Sequence, residues 1–170
     1  MIQRVKQFYR AVTAQITPAD RQWVAESLPP AAQKLFYAMH PADQYHAINV
    51  AKTAMKLWER QQTGDRALLL RAALLHDIGK KRGDMDIMGK VWAVLLKHYF
   101  PAKAQQLGKV DNGWLSHILY ISYQHPAIGA AKLEEIGMTA EAAIIRSHHR
   151  KKMDNDQPEL ALLQAADELN

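Results

Sequence analysis

The 170-residue chain contains no cysteine. Disulfide bridges, thiolate zinc sites and cysteine nucleophiles are thereby excluded, and any metal site must be built from nitrogen and oxygen ligands. No apolar run approaches the length needed to cross a bilayer. The opening stretch, MIQRVKQFYRAV, mixes charge with apolar residues at helical spacing and lacks the continuous apolar segment of a secretory signal. A cytoplasmic protein with no membrane partner is therefore expected. No segment sustains the apolar–polar alternation of a half-buried strand, so no sheet is expected. Internal repeats and low-complexity tracts are also missing, which argues against a solenoid or a disordered tail.

What is present fits one globular domain. Hydrophobic residues make up 48% and charged residues 23%, and the length supports one real core but not two domains. The formal net charge of +5 favours anionic partners such as phosphorylated compounds. The basic residues are scattered, and their densest cluster (Arg146, Arg150, Lys151, Lys152) is short, so there is no specific nucleic-acid signal.

The punctuation is that of an all-α protein. Thr17-Pro18 caps and opens a helix that Pro29-Pro30 ends, and a second helix runs from about Ala31 to Met39. His40-Pro41 opens a longer helix to about Gln61, closed by Gly64, and Asp65 caps the apolar helix that ends at Gly79. Further helices are expected at about 87–99, 112–123, 126–136, 140–148 and 158–168, with Gly137 as a C-terminal cap and Thr139 as the next N-cap. Phe8, Val12, Trp23, Leu35 and Phe36 are the expected buried members of the first helices, which could pack on the rest, cover a site or support a homodimer.

Eight histidines invite a search for a site. His98 and His117 lack a His or acidic neighbour at ligand spacing and read as structural; His40 suits a cap. His76-Asp77 is different. It closes an apolar helix with a carboxylate, which is costly to bury and meets the unfavourable end of the helix dipole. A bound divalent cation would solve that problem, and so would a salt bridge to Lys80 or Lys81. His148-His149 repeats the arrangement after AAIIRS, where paired imidazoles suit Mn, Fe, Co, Ni or Zn, although a histidine also favours a helix C-terminus without any metal. Asp167 lies in the apolar stripe LALLQAADEL, on one face with Leu160, Leu163 and Gln164, and His46 lies among small and apolar residues.

The order His46 … His76-Asp77 … Asp167 resembles the HD-domain superfamily of metal-dependent phosphohydrolases, over roughly Pro41 to the C-terminus. LLHDIGK resembles its HDIG subgroup, QHPAIGAAKL that subgroup's HPxxG segment, and SHH its paired histidines, as in the bimetallic HD-GYP proteins. The resemblance implies an HD-domain helical bundle at 41–170 with accessory helices at 1–40. It implies two divalent metals, Fe or Mn first, with Zn, Ni, Co or Mg as alternatives. His46, His76, Asp77 and Asp167 would serve one ion, and His125, His148 and His149 the other, with Asp77 bridging. Two departures narrow the activity. His149 is followed by Arg150-Lys151-Lys152 with no Gly-Tyr-Pro, which sets cyclic di-GMP hydrolysis aside, and Ala42 occupies the place where some relatives carry a further carboxylate.

The activity implied is hydrolysis of a small phosphate ester, a nucleotide first, by metal-activated water at Asp77. Lys80 is the expected catalytic partner and phosphate ligand, with Lys81, Arg146 and Arg150 as further substrate-binding candidates. Two other readings use the same residues: a di-iron oxygenase acting on an acidic organic substrate, and a nucleotide sensor without turnover.

Overall fold

The computed structural model describes residues 16–84 and 87–170, and of residues 87, 88 and 90 the backbone alone. Phe8 and Val12 lie outside the described residues. Among those described there are nine α-helices and no strand: α1 Pro18–Ser27, α2 Pro30–Tyr37, α3 Pro41–Gln61, α4 Arg66–Leu75, α5 Ile87–Tyr99, α6 Pro101–Leu107, α7 Trp114–Glu135, α8 Thr139–Arg146 and α9 Pro158–Glu168.

The caps explain several starts. Thr17 and Asp20 form a reciprocal capping box on α1, His40 Nδ1 accepts the Ala42 N–H at 3.2 Å, and Asp65 accepts from Ala67 and Leu68. Gly137 follows α7 at φ 79°, the left-handed conformation that favours glycine after a helix. Thr139 is the first residue of α8 rather than its cap, a place that Met138 takes.

Helix α4 is the centre of the molecule. Leu69, Leu70 and Ala72 to Leu75 are all buried, so the helix is apolar around most of its circumference and has no solvent face along its last turns. It packs against α1, α2, α3, α8 and α9. Small residues of α3 (Ala47, Ala51, Ala54) allow close approach, and α9 adds Leu160, Leu162, Leu163 and Ala166. Phe36 is fully buried in the same core, while Trp23 and Leu35 are half-buried against it.

Ion pairs tie neighbouring helices: Lys52 to Asp20 at 2.6 Å and Arg71 to Glu141 at 2.5 Å. Burial still dominates the packing. Each large apolar side chain taken out of water contributes about 1.5–3 kcal/mol, against about 0–1 kcal/mol for a typical exposed pair.

Three segments differ from the sequence expectation. Residues 101–107 form a helix, started by Pro101 and anchored by the buried Ala104 against Ile118 and Leu119. Residues 112–123 and 126–136 are not two helices but one, α7, with Pro126 in its interior. The helices expected to reach Gly79 and His148 stop at Leu75 and Arg146, and the turns beyond them carry the candidate ligands.

Candidate metal centre

Each helix carbonyl in the last turn lacks an intrahelical partner, and here two histidines supply one. His76 Nδ1 lies 2.8 Å from the carbonyl of Ala73, and His148 Nδ1 lies 2.5 Å from that of Ile145. A carbonyl can only accept, so the Nδ1 atoms carry the protons and the Nε2 lone pairs face away from the helix. This is the local reason for a histidine just past each helix end.

His125 reaches the same state by another route. Pro126 has no N–H, so the carbonyl of Ser122, four residues back, loses its helical donor. That carbonyl instead lies 3.2 Å from His125 Nδ1 and accepts from Lys97 Nζ at 3.4 Å; His125 Nδ1 also lies 3.2 Å from the carbonyl of Ile121. The proline inside the helix thus helps set the tautomer of the adjacent imidazole.

Two glycines bring these elements together. A Cβ on Gly79 would stand 2.0 Å from the carbonyl oxygen of His125, and one on Gly129 would stand 3.2 Å from the backbone nitrogen of Gly79. The 76–79 turn and α7 therefore touch backbone to backbone, which sets His125 beside Asp77.

The resulting cluster has two halves. His46, His76 and Asp167 offer ligand atoms all within 4.8 Å of one another, and so do His125, His148 and His149. The rings form a continuous series, with centroids 5.4 Å apart from His46 to His76, 5.3 Å from His76 to His148 and 5.3 Å from His148 to His125. Asp77 lies between the halves, Oδ2 at 3.7 Å from His76 Nε2 and Oδ1 at 3.3 Å from His125 Nε2. Lys80 Nζ grips both carboxylate oxygens, at 2.7 and 2.8 Å. The two answers to the Asp77 problem thus coexist: a lysine holds it, in the middle of six other candidate ligands.

The Nε2 atoms of His76, His125 and His148 are buried and make no hydrogen bond. Leaving a buried polar atom unpaired costs about 1–3 kcal/mol, so three in one cluster, two of them facing Asp77, need partners. A lone pair accepts a cation, and neutral imidazole with carboxylate is a donor set suited to divalent transition metals. The residues present fit such ions in both halves.

Electrostatics prepare the two halves differently. Burial opposes charge on Asp77, but the Lys80 ammonium and the imidazoles of His76 and His125 outweigh it and hold the carboxyl well below the usual range. Burial likewise opposes charge on Asp167, and the hydrogen bond from His46 Nε2 at 3.0 Å, with help from His76, holds it low. His46 is pushed up: burial lowers it, but Asp167 and Asp77 prevail. His125 is pushed down by burial and Lys80, His148 well down by burial with His76 and His149, and His149 to about 4 by burial and His125. Lys80 is pushed up, its burial offset by Asp77, Asp43 and Asp167.

Substrate-side candidates separate as well. A cleft of about 370 Å³ opens beside the centre, lined by His148, His149, Arg150, Lys151, Lys152 and Asp167 among others. Arg150 is there but paired with Asp156; Arg146 is paired with Glu134 at 2.6 Å and does not line the cleft; Lys81 is exposed. His40 caps α3 as expected, His117 pairs with Asp111 at 2.8 Å, and His98 is exposed.

Three residues escaped the sequence reading. Lys97 lies close enough to Lys80 for repulsion to add to the burial that lowers its pKa. Asp43, one position from the Ala42 inspected for a carboxylate, is buried and acts on Lys80. Gln164 donates to the carbonyls of Ser147 and Arg150 and so fixes the turn bearing His148 and His149. Its place on the Asp167 face was the one available signal.

Compared with models of protein families, residues 44–170 match the HD domain. Comparison with curated proteins and with solved structures finds no match.

Proposed function

Since the chain belongs to the HD-domain family, whose members are generally metal-dependent hydrolases, we propose that it is a dinuclear phosphohydrolase of the HDIG subgroup acting on a small phosphate ester, a nucleotide first. The observation that carries this reading is the set of three buried, unpaired Nε2 lone pairs of His76, His125 and His148, in rings that neighbour one another beside Asp77. His46, His76 and Asp167 would hold one ion and His125, His148 and His149 the other, with Asp77 between them. When bound, the ions supply Lewis acidity and a water of lowered pKa at neutral pH.

The chain's own residues do the rest. Asp77 orients the two halves, and its low pKa keeps it a carboxylate at working pH. Lys80 balances that charge; with cations on Asp77, its ammonium is free to hold a non-bridging phosphate oxygen. Lys151 lines the adjoining cleft for the rest of an anionic substrate, beside Arg150 and Lys152, which are paired with Asp156 and Glu168. The cleft volume falls within the range of small-ligand sites.

The test begins with elemental analysis of protein purified anaerobically without chelators. About two transition metals per chain and phosphate release from nucleotides under nitrogen are expected. Turnover that requires oxygen and reduced iron, with no hydrolysis, would move the assignment to a di-iron oxygenase on the same ligands. Asp77→Ala should lose both metals and all activity; a variant that keeps two metals would overturn the bridging role.

A further inference from the structure

Helix α5 is built inside out. Its buried face offers Ala93 and half-buried Leu96 to the small core formed with Ala104, Ile118 and Leu119. Its outer face carries Val91, Trp92, Val94, Leu95 and Tyr99, which are 37–66% exposed. At 100° per residue these five, with the exposed His98 among them, span an arc of about 160° without a single Lys, Arg, Asp or Glu. Scattered exposed apolar residues are normal, but a whole outward helix face of them marks an interaction surface. Phe100, at 54% exposure, extends the face past the end of α5, and Leu107, Val110 and Trp114 continue the pattern at 41–56%.

The charges around this face point to its occupant. Between Ile87 and Val110 the sequence has four lysines and no acidic residue; Lys97 turns inward to the Ser122 carbonyl, and the exposed Asp111 that follows is paired with His117 at 2.8 Å. Lys103 and Lys109 are exposed, and the Lys103 ammonium sits 5.8 Å from the Phe100 ring centroid. A second copy of the chain would bring the same lysines to the contact, like against like. An anionic lipid surface brings the opposite sign. Tryptophan and tyrosine are also the side chains that settle at the level of lipid headgroups.

We propose that the α5–α6 face docks the protein peripherally on anionic membrane, with Trp92, Tyr99 and Phe100 entering the headgroup region and Lys103 and Lys109 meeting lipid phosphate. Among the described residues no helix is long and apolar enough to cross a membrane, and the proposal is of adsorption alone.

The full chain is tested by co-sedimentation with phosphatidylglycerol-rich vesicles and with pure phosphatidylcholine vesicles, alongside tryptophan fluorescence. Binding to the anionic vesicles should exceed neutral binding by about tenfold or more, weaken with salt, and shift the emission to the blue. Trp92→Ala with Tyr99→Ala should reduce binding to both vesicle types. Lys103→Glu with Lys109→Glu should erase the anionic preference while leaving the helical circular dichroism unchanged. Equal binding to both compositions, or none, would overturn the proposal. So would a dimer in sedimentation equilibrium that the Trp92 and Tyr99 changes dissociate, which would assign the face to a second copy.

Discussion

At the residue scale, the imidazoles of the centre start from different protonation states. His46 has its pKa raised above 6.5, so the proton shared with Asp167 is fully in place below pH 6.5 and leaves as the pH rises through the raised value. A metal in the His46 half must displace that proton, and affinity there should fall as the pH drops through that value. His125 and His148 are shifted down, and His149 to about 4, so the other half is already free base at neutral pH. Titration calorimetry in two buffers of different ionisation heat should find proton release near pH 6.5 at one half and almost none at the other. Equal release at both would contradict the assignment.

Lys80 gives a second residue-scale test. Without metal it is the main neutraliser of a buried carboxylate, so Lys80→Ala should cost the metal-free protein about 3 kcal/mol, the low end expected for removing one partner of a buried pair. Metal should restore most of that loss, because cations then neutralise Asp77. Denaturant melts with and without metal check this, and an equal deficit in both would deny that Lys80 and metal share one carboxylate.

At the scale of elements, the crossing of α7 over the 76–79 turn decides whether two half-sites form one centre. Gly79→Ala would force a methyl group into the His125 carbonyl, and with backbone on both sides the cost should be at or above the roughly 3 kcal/mol typical of severe overpacking. Pro126→Ala should act more gently. It returns an N–H to the Ser122 carbonyl, competes with His125 Nδ1, and should weaken metal at the His125 half about 10–100-fold while the His46 half is spared. Equilibrium dialysis of the two variants separates these effects; unchanged affinity in Pro126→Ala would reduce the proline to a tolerated kink.

For the molecule as a whole, the candidate ligands come from α3 and α9 and from the turns after α4 and α8, with His125 of α7, so a metal held by them would make binding and folding one equilibrium. Ligand at one hundred times its dissociation constant adds about 2.7 kcal/mol to the folded state. For a chain of this size that corresponds to a rise in Tm of about 5–10 °C, reversed by chelator. A calorimetric scan showing no shift would mean that the ligands are not shared by the folding core.

Much of this was legible in the chain. The caps at Thr17, His40 and Asp65 and the all-helical class follow from residue type and spacing over three or four positions, and the candidate ligands from the resemblance of their order to the HD pattern. The helix at 101–107 was not, because seven residues with one buried alanine leave too short a pattern to detect. Nor was the continuity of α7, since a proline reads as a boundary unless neighbouring groups take up the carbonyl it frees. The sequence by itself determined which side chains could bind metal and why a histidine stands at each helix end. Only the tertiary structure decided that His46 meets Asp167 across 121 positions, that Asp77 lies between two triads, and that Arg146 turns to Glu134 instead of the cleft. The reason is physical: distances between helices are set by how their buried faces and two facing glycines pack, and no local propensity encodes them.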